Sequence, residues 1–190
     1  MTLTEPIRDK SHVQALLSYY LNRGEIRNHL LICLCLHTAL RISDVLRLTT
    51  NDVYDFQNRS IRKTITIAEQ KTGKTKIIAL HKNIVKVLTI CFPTAMPNTP
   101  LIRNRRTGKA ISRVQAYRII KAAAKDAKLP QKVSCHSLRK TFGYHAWKSG
   151  VSPAVIMEIF NHSSFHVTRR YLGILQDDKN DAYLNLNLVG

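Results

Sequence analysis

The sequence predicts an α+β fold, mainly helical, with a small antiparallel β-sheet inside one domain. Three observations predict it. Apolar residues recur at helical spacing over most of the chain, and the stretch 60–67 alternates instead. A length of 190 residues with 44% hydrophobic content is enough to bury one real core.

Asp9 or Ser11 is placed to cap a first helix through Val13, Leu16, Leu17 and Tyr20, with Gly24 as its stop. A second helix from about Glu25 carries Ile26, Leu30 and the run to Leu36. It is apolar nearly all round and therefore expected at the centre. Ser43 or Asp44 starts a short helix whose inner side is Ile42, Val45, Leu46 and Leu48, which leaves Arg41 at a junction between two buried helices. Residues 51–59 are turn-like. Residues 60–67 are rich in β-branched residues and predict a strand, with a turn at Lys71-Thr72-Gly73-Lys74 and a return strand over 75–80. A helix from Asn83 stops at Pro93, and a proline-punctuated loop runs to Pro100. Leu101-Ile102 is a candidate third strand before the basic turn 103–109. Ser112 caps a long helix to about Lys128, with Val114, Tyr117, Ile120, Ala124 and Ala127 as its apolar stripe. Residues 136–148 form another helix, with Leu138, Phe142 and Ala146 on one side and Gly150 after it. Ser152-Pro153 opens the next, carrying Val155, Ile156, Ile159 and Phe160. Residues 161–164 open a last helix through Tyr171. Beyond a polar linker over 176–181, the alternation of Leu184, Leu186 and Leu188 predicts no definite element.

Thirty Lys+Arg against twelve Asp+Glu leave a formal charge of +18. Such an excess points to an anionic polymer as partner, because each neutralised phosphate releases condensed counterions. Cys33, Cys35, Cys91 and Cys135 form no CxxC pair and read as reduced core thiols of a cytosolic protein. The apolar run 30–36 is too short to span a bilayer, and residues 1–10 carry no signal-peptide core, so a cytoplasmic protein is expected, with no membrane partner. His37, His81, His145 and His166 have no carboxylate or cysteine at ligand spacing, and no metal or other cofactor is expected.

Three stretches carry the chemistry: Ala39-Leu40-Arg41-Ile42-Ser43-Asp44, His136-Ser137-Leu138-Arg139, and Asn161-His162 followed by Tyr171 nine positions on. Two guanidinium groups, imidazoles and a phenol can together grip a phosphodiester and attack it. With the lysine hairpin, this ordered set resembles the tyrosine recombinase (phage integrase) family over about residues 10–172. The resemblance implies the fold of DNA breaking-rejoining enzymes and strand exchange without metal or ATP. Most relatives carry a separate helical domain in front. Here the catalytic domain spans 1–176 with no such domain expected, as in the short invertases, and 177–190 is a tail that could dock on a neighbouring protomer.

On that resemblance Tyr171 is the nucleophile. A free phenol has a pKa of about 10 and needs cations or a base nearby to attack at neutral pH. Arg41 and Arg139 clamp the non-bridging oxygens, a task that suits a planar, always charged fork. His136 contacts phosphate and moves a proton, and His162 supplies a phosphate hydrogen bond and packing support. Lys71 is the general acid for the 5′ oxygen, with Lys74 and Lys76 as competitors. Asp44 would hold His136 or Arg139 in place. Lys74, Arg103, Arg105, Arg106, Lys109 and Arg113 are expected on the DNA backbone, with Lys63, Lys82, Arg118 and Lys121 beside them.

The implied activity is site-specific recombination of double-stranded DNA: integration, excision or inversion through a 3′-phosphotyrosine. It implies self-assembly into a tetramer on two sites, accessory DNA-bending proteins and association with the nucleoid. A type IB topoisomerase acting as a monomer shares the chemistry, and a non-catalytic DNA-binding regulator is the alternative outside enzymes.

Overall fold

A computed structural model describes residues 4–91, 96–130, 132–174 and 176–187. The chain begins with α1 (Lys10–Leu21), whose N-cap Asp9 accepts from the Ser11 N–H, and α2 (Ile26–His37). Every residue of α2 from Asn28 to Leu36 is buried, as an all-round apolar helix must be. The larger core cluster is built around it from Leu16, Tyr20, Val45, Ile65, Ile84, Leu88, Ile120 and Leu138. A smaller cluster joins Ala39, Ile156, Phe160 and Leu172, with Phe142, Ala146, Trp147 and Tyr171 against it.

Ala39 has φ 55°, and this left-handed step turns the chain from α2 into α3 (Ile42–Val45), so that Arg41 is the N-cap residue rather than a residue before it. The turn expected over 51–59 holds more order. Thr49 and Asp52 form a capping box that starts α4 (Thr50–Val53). β1 (Tyr54–Asp55) then pairs antiparallel with β2 (Ser60–Ile61) around the Asp55 carboxylate, which accepts from the Gln57 and Asn58 N–H groups.

The strand expected over 60–67 is therefore broken. The Arg62 N–H bonds to Val53 O, and pairing resumes only in β3 (Thr64–Ala68), which runs antiparallel to β4 (Thr75–Ala79). Among the described residues, two two-stranded sheets replace the one expected. Ile65 and Ile67 face the core, and Ile77 on β4 is 74% exposed.

α5 (Lys82–Cys91) follows, and the predicted stop at Pro93 lies outside the described residues. Leu101-Ile102 is not a strand. The Leu101 N–H goes to Leu48 O while Ile102 O takes the Ile111 N–H, and only isolated bridges flank them.

α6 (Arg113–Asp126) starts at a Ser112 capping box with Gln115. Its buried stripe is Ala116, Ile120, Ala123 and Ala124. Val114 and Tyr117, expected on the stripe, lie on the open face instead. α7 (Cys135–Lys148) and α8 (Pro153–Phe160) pack tightly: a Cβ on Gly143 would lie 2.8 Å from the Phe160 ring.

α9 (Phe165–Leu172) carries Tyr171, and the segment expected to be a linker is α10 (Gln176–Leu184), tied to α7 by a 2.6 Å Lys148–Asp178 ion pair. Leu188 of the alternating tail lies outside the described residues. Among the described residues no helix is long and apolar enough to cross a membrane. All four cysteines are free thiols.

Candidate active site

The site forms where α3, α7, the α8–α9 junction and α9 meet. Ser134 caps α7, its hydroxyl accepting from the His136 and Ser137 N–H groups, so His136 falls in the first turn with one side open to solvent. Arg139, one turn on, points inward and is 2% exposed. Its Nη1 donates to Ala39 O, and its Nη2 donates to Phe160 O at 2.8 Å. The guanidinium also lies 4.7 Å from the centre of the Phe160 ring. One acceptor belongs to left-handed Ala39 (φ 55°) and the other to Phe160, just before left-handed Asn161 (φ 51°), so two sharp backbone turns aim carbonyls at one buried cation. Arg139 Nε is buried with no hydrogen-bond acceptor among the described residues. Burial, then the Arg41 charge, lowers Arg139 to about 10, which leaves it protonated at neutral pH.

Arg41 is half-buried, its Nη1 3.0 Å from Glu69 Oε2. Glu69 follows directly after β3, and its side chain is fully buried. Asn161 Nδ2 and Thr72 Oγ1 donate to Oε2 at 2.8 and 2.9 Å, and Lys76 Nζ lies 2.9 Å from Oε1. Burial alone would raise this carboxyl. The Asn161 and Lys76 hydrogen bonds, the Lys76 charge and Thr72 outweigh it and hold Glu69 at about 2. Lys76 also donates to Ile159 O.

Tyr171 stands among rings. Its centre is 4.9 Å from His136, 4.5 Å from His162 and 5.1 Å from Phe160, with the Lys140 ammonium 5.6 Å from the ring centre. His162 Nδ1 is 3.0 Å from the hydroxyl of buried Thr168, which fixes the imidazole plane. Desolvation, then nearby cations, pushes both imidazoles down to about 4: Lys140, Arg139 and Arg41 act on His136, and Arg139, Arg41 and Lys76 on His162. Both are therefore neutral at pH 7, and a neutral imidazole can take a proton from a phenol.

The structure thus brings Arg41, His136, Arg139, His162 and Tyr171 together. Lys71 is not among them. It is exposed in the hairpin turn, and Lys76 reaches the cluster from β4. Asp44 is fully buried, but its Oδ1 accepts from the Gln70 N–H at 2.9 Å and lies 3.9 Å from Arg47. It anchors the hairpin backbone rather than bonding to His136 or Arg139. Lys74, Arg103, Arg105, Arg106, Lys109 and Arg113 are all exposed.

Sequence reasoning missed Glu69, Thr168 and the part played by Lys140. Glu69 had a signal: it continues the inward parity of Ile65 and Ile67, so an acid stood at a core-facing position. Among the described residues no group of three or more His, Cys, Asp or Glu could hold a metal.

Known proteins fit this arrangement. The family model described as Phage integrase family matches residues 8–177. A protein of Bacillus subtilis (strain 168) named probable integrase/recombinase YoeC is 36% identical over 183 residues, covering 96% of this chain and 97% of its own length. A tyrosine recombinase of Thermosipho africanus is 24% identical and the XerD tyrosine recombinase of Mycobacterium leprae 28%. The alignments cover 93% and 77% of this chain but only 60% and 48% of those proteins.

Among solved structures, the XerA recombinase superposes with a TM-score of 0.78 at 20% identity, over 97% of this chain and 65% of that one. The XerH site-specific recombinase bound to a palindromic difH substrate gives 0.75 at 19% identity, over 96% and 53%. At these identities the agreement is one of fold, and the fold is that of tyrosine recombinase catalytic domains. With the family model spanning nearly the whole chain and a relative above one-third identity aligned end to end, the chain belongs to the phage integrase family.

Proposed function

We propose that this chain is a site-specific recombinase that cuts and rejoins double-stranded DNA through Tyr171. One observation carries the proposal: two neutral imidazoles flank one phenol, the Phe160 ring that backs this phenol also backs the Arg139 guanidinium, and the buried Arg139 Nε has no acceptor among the described residues, a place a phosphate oxygen would fill. The formal charge of +18 and the relatives' names support DNA as the partner.

In this reading the scissile phosphate sits between Arg41 and Arg139, which neutralise the charge of the pentavalent transition state. Tyr171 Oη attacks phosphorus while His136 takes the phenolic proton, and His162 donates to a non-bridging oxygen. The P–O5′ bond breaks and the 5′ oxygen takes a proton from Lys71, whose exposed place on the hairpin turn lets it reach bound DNA. The phosphotyrosine conserves the bond energy, so a 5′ hydroxyl from a second strand reverses the steps without a nucleotide cofactor. Four protomers on two sites, with DNA-bending proteins and the nucleoid as setting, complete the reaction. The segment 177–190 ties neighbours together.

The test is covalent trapping on a nicked suicide substrate carrying the flanking repeat sequence of the chain's own element. The expected result is an SDS-stable, protease-sensitive band for wild type and none for Tyr171→Phe. Lys71→Ala should lose the band on ordinary DNA and regain it when sulfur replaces the scissile 5′ oxygen, since a thiolate leaves without an acid. Retarded DNA on a native gel with no covalent band from wild type would overturn the proposal.

A further inference from the structure

We propose that Glu69 is a positioning residue: its carboxylate presents Arg41 to the scissile phosphate and docks the β3–β4 hairpin on the site. The inference rests on the recombinase reading above and adds to it a residue outside the arginine, histidine and tyrosine set.

Glu69 is a fully buried carboxylate, which is costly to bury unless paired and hydrogen-bonded. It is met from four separate places in the chain. Arg41 comes from the start of α3, Thr72 from the hairpin turn, Lys76 from β4 and Asn161 from the left-handed residue between α8 and α9. Its backbone closes the hairpin as well: the Glu69 N–H donates to Lys74 O at 3.0 Å and Glu69 O accepts from the Gly73 N–H at 2.8 Å. The turn that carries Lys71 is therefore built directly on Glu69.

Two consequences follow from charge and geometry. Arg41, Arg139 and Lys76 repel one another before any phosphate arrives, and one ionised carboxylate in their midst lets them stay together in the free protein. The 3.0 Å ion pair between Arg41 Nη1 and Glu69 Oε2 tethers the guanidinium beside the carboxylate, which limits where its remaining donors can meet an oxyanion. Such preorganisation acts on the chemical step more than on overall DNA affinity, which is spread over many exposed basic residues.

The experiment compares wild type, Glu69→Gln, Arg41→Lys and the double variant. DNA affinity is read by gel retardation, and single-turnover formation of the covalent complex is read at saturating suicide substrate. Glu69→Gln should bind DNA within about 3-fold of wild type and cleave about 100-fold more slowly, the loss expected when a catalytic group is displaced by around 1 Å. In the Arg41→Lys background the same change should cost less than about 5-fold, because its effect runs through Arg41.

A third readout needs no chemistry on DNA. Trypsin should cut after Lys71 and Lys74 faster in Glu69→Gln than in wild type at a temperature where both are folded. If Glu69→Gln fails to fold, Thr72→Val removes one donor from the same carboxylate and should move both readouts in the same direction by about 10-fold or less. An unchanged cleavage rate, or a loss that multiplies fully with Arg41→Lys, overturns the presentation of Arg41. An unchanged proteolysis rate overturns the docking of the hairpin. A wild-type chain that forms no covalent complex overturns the recombinase reading itself, and the presentation of Arg41 with it, while the trypsin comparison still decides hairpin docking.

Discussion

At the scale of single residues, the site is governed by which charges are held out of water. His136 and His162 are surrounded by cations, and among the described residues no carboxylate is bonded to either ring. Their folded values of about 4 lie below the ordinary imidazole value of 6.5. Between those values the unfolded chain binds more protons than the folded one. Stability is thus full above pH 6.5 and falls as pH drops toward 4. Urea midpoints measured at pH 7.5, 6 and 5 should decline in that order, and His162→Asn should flatten the decline. Glu69 has the depressed carboxylate value instead, so its contribution is complete above pH 4.5 and is lost only as pH falls toward 2, a separate window below that of the histidines.

At the scale of elements, the contact between α7 and α8 sets where the site sits. Phe160 is fully buried, and its ring backs Arg139, His162 and Tyr171 together. Gly143 is what lets the helices come close enough. A methyl group there would meet the fully buried Phe160 ring at 2.8 Å, so the ring would have to shift. Gly143→Ala should cost about 1–3 kcal/mol through overpacking, measured as a lower urea midpoint. It should also slow covalent-complex formation at saturating DNA, since the ring it displaces touches three site residues.

The hairpin obeys a second packing rule. Lys76 pairs across from Ile67 and takes the inward side of β4, while Ile77 faces solvent. Adjacent isoleucines at 77 and 78 hid this register in the sequence, and the turn drew attention to Lys71 instead.

At the scale of the whole molecule, the excess of positive charge is carried by exposed side chains while the site cations are drawn inside. Replacing Arg103, Arg105 and Arg106 by Gln should weaken DNA binding alike on all sequences. It should reduce the slope of log K against log salt by about 0.9 for each phosphate left without its arginine, with cleavage at saturating DNA nearly unchanged. A full slope in the triple variant would show that these arginines do not neutralise DNA phosphates. Deleting residues 177–190 should reduce pairing of two DNA sites in a bridging assay and spare cleavage of a single suicide site. Equal pairing by the truncated chain would sink the tail's proposed role.

The sequence by itself determined the predominance of helix, the central place of α2 and the caps at Ser112 and Ser152, narrowed the first cap to Asp9 or Ser11, and through its family resemblance named Arg41, His136, Arg139, His162 and Tyr171 as candidates. The elements and caps rest on local signals, period and capping hydroxyls, and the candidate set rests on an ordered series of short motifs that resembles the family. Only the tertiary structure decided the rest. Whether residues 60–67 form one strand or two depends on the Arg62 N–H finding Val53 O, and whether 176–184 is a helix was not legible in a segment with no apolar face. The Glu69 carboxylate takes its meaning from Arg41, Thr72, Lys76 and Asn161, whose approach is set by chain segments up to 92 residues away. A charge's role depends on what desolvates and pairs it, and in this protein those partners are brought by packing rather than by neighbours along the chain.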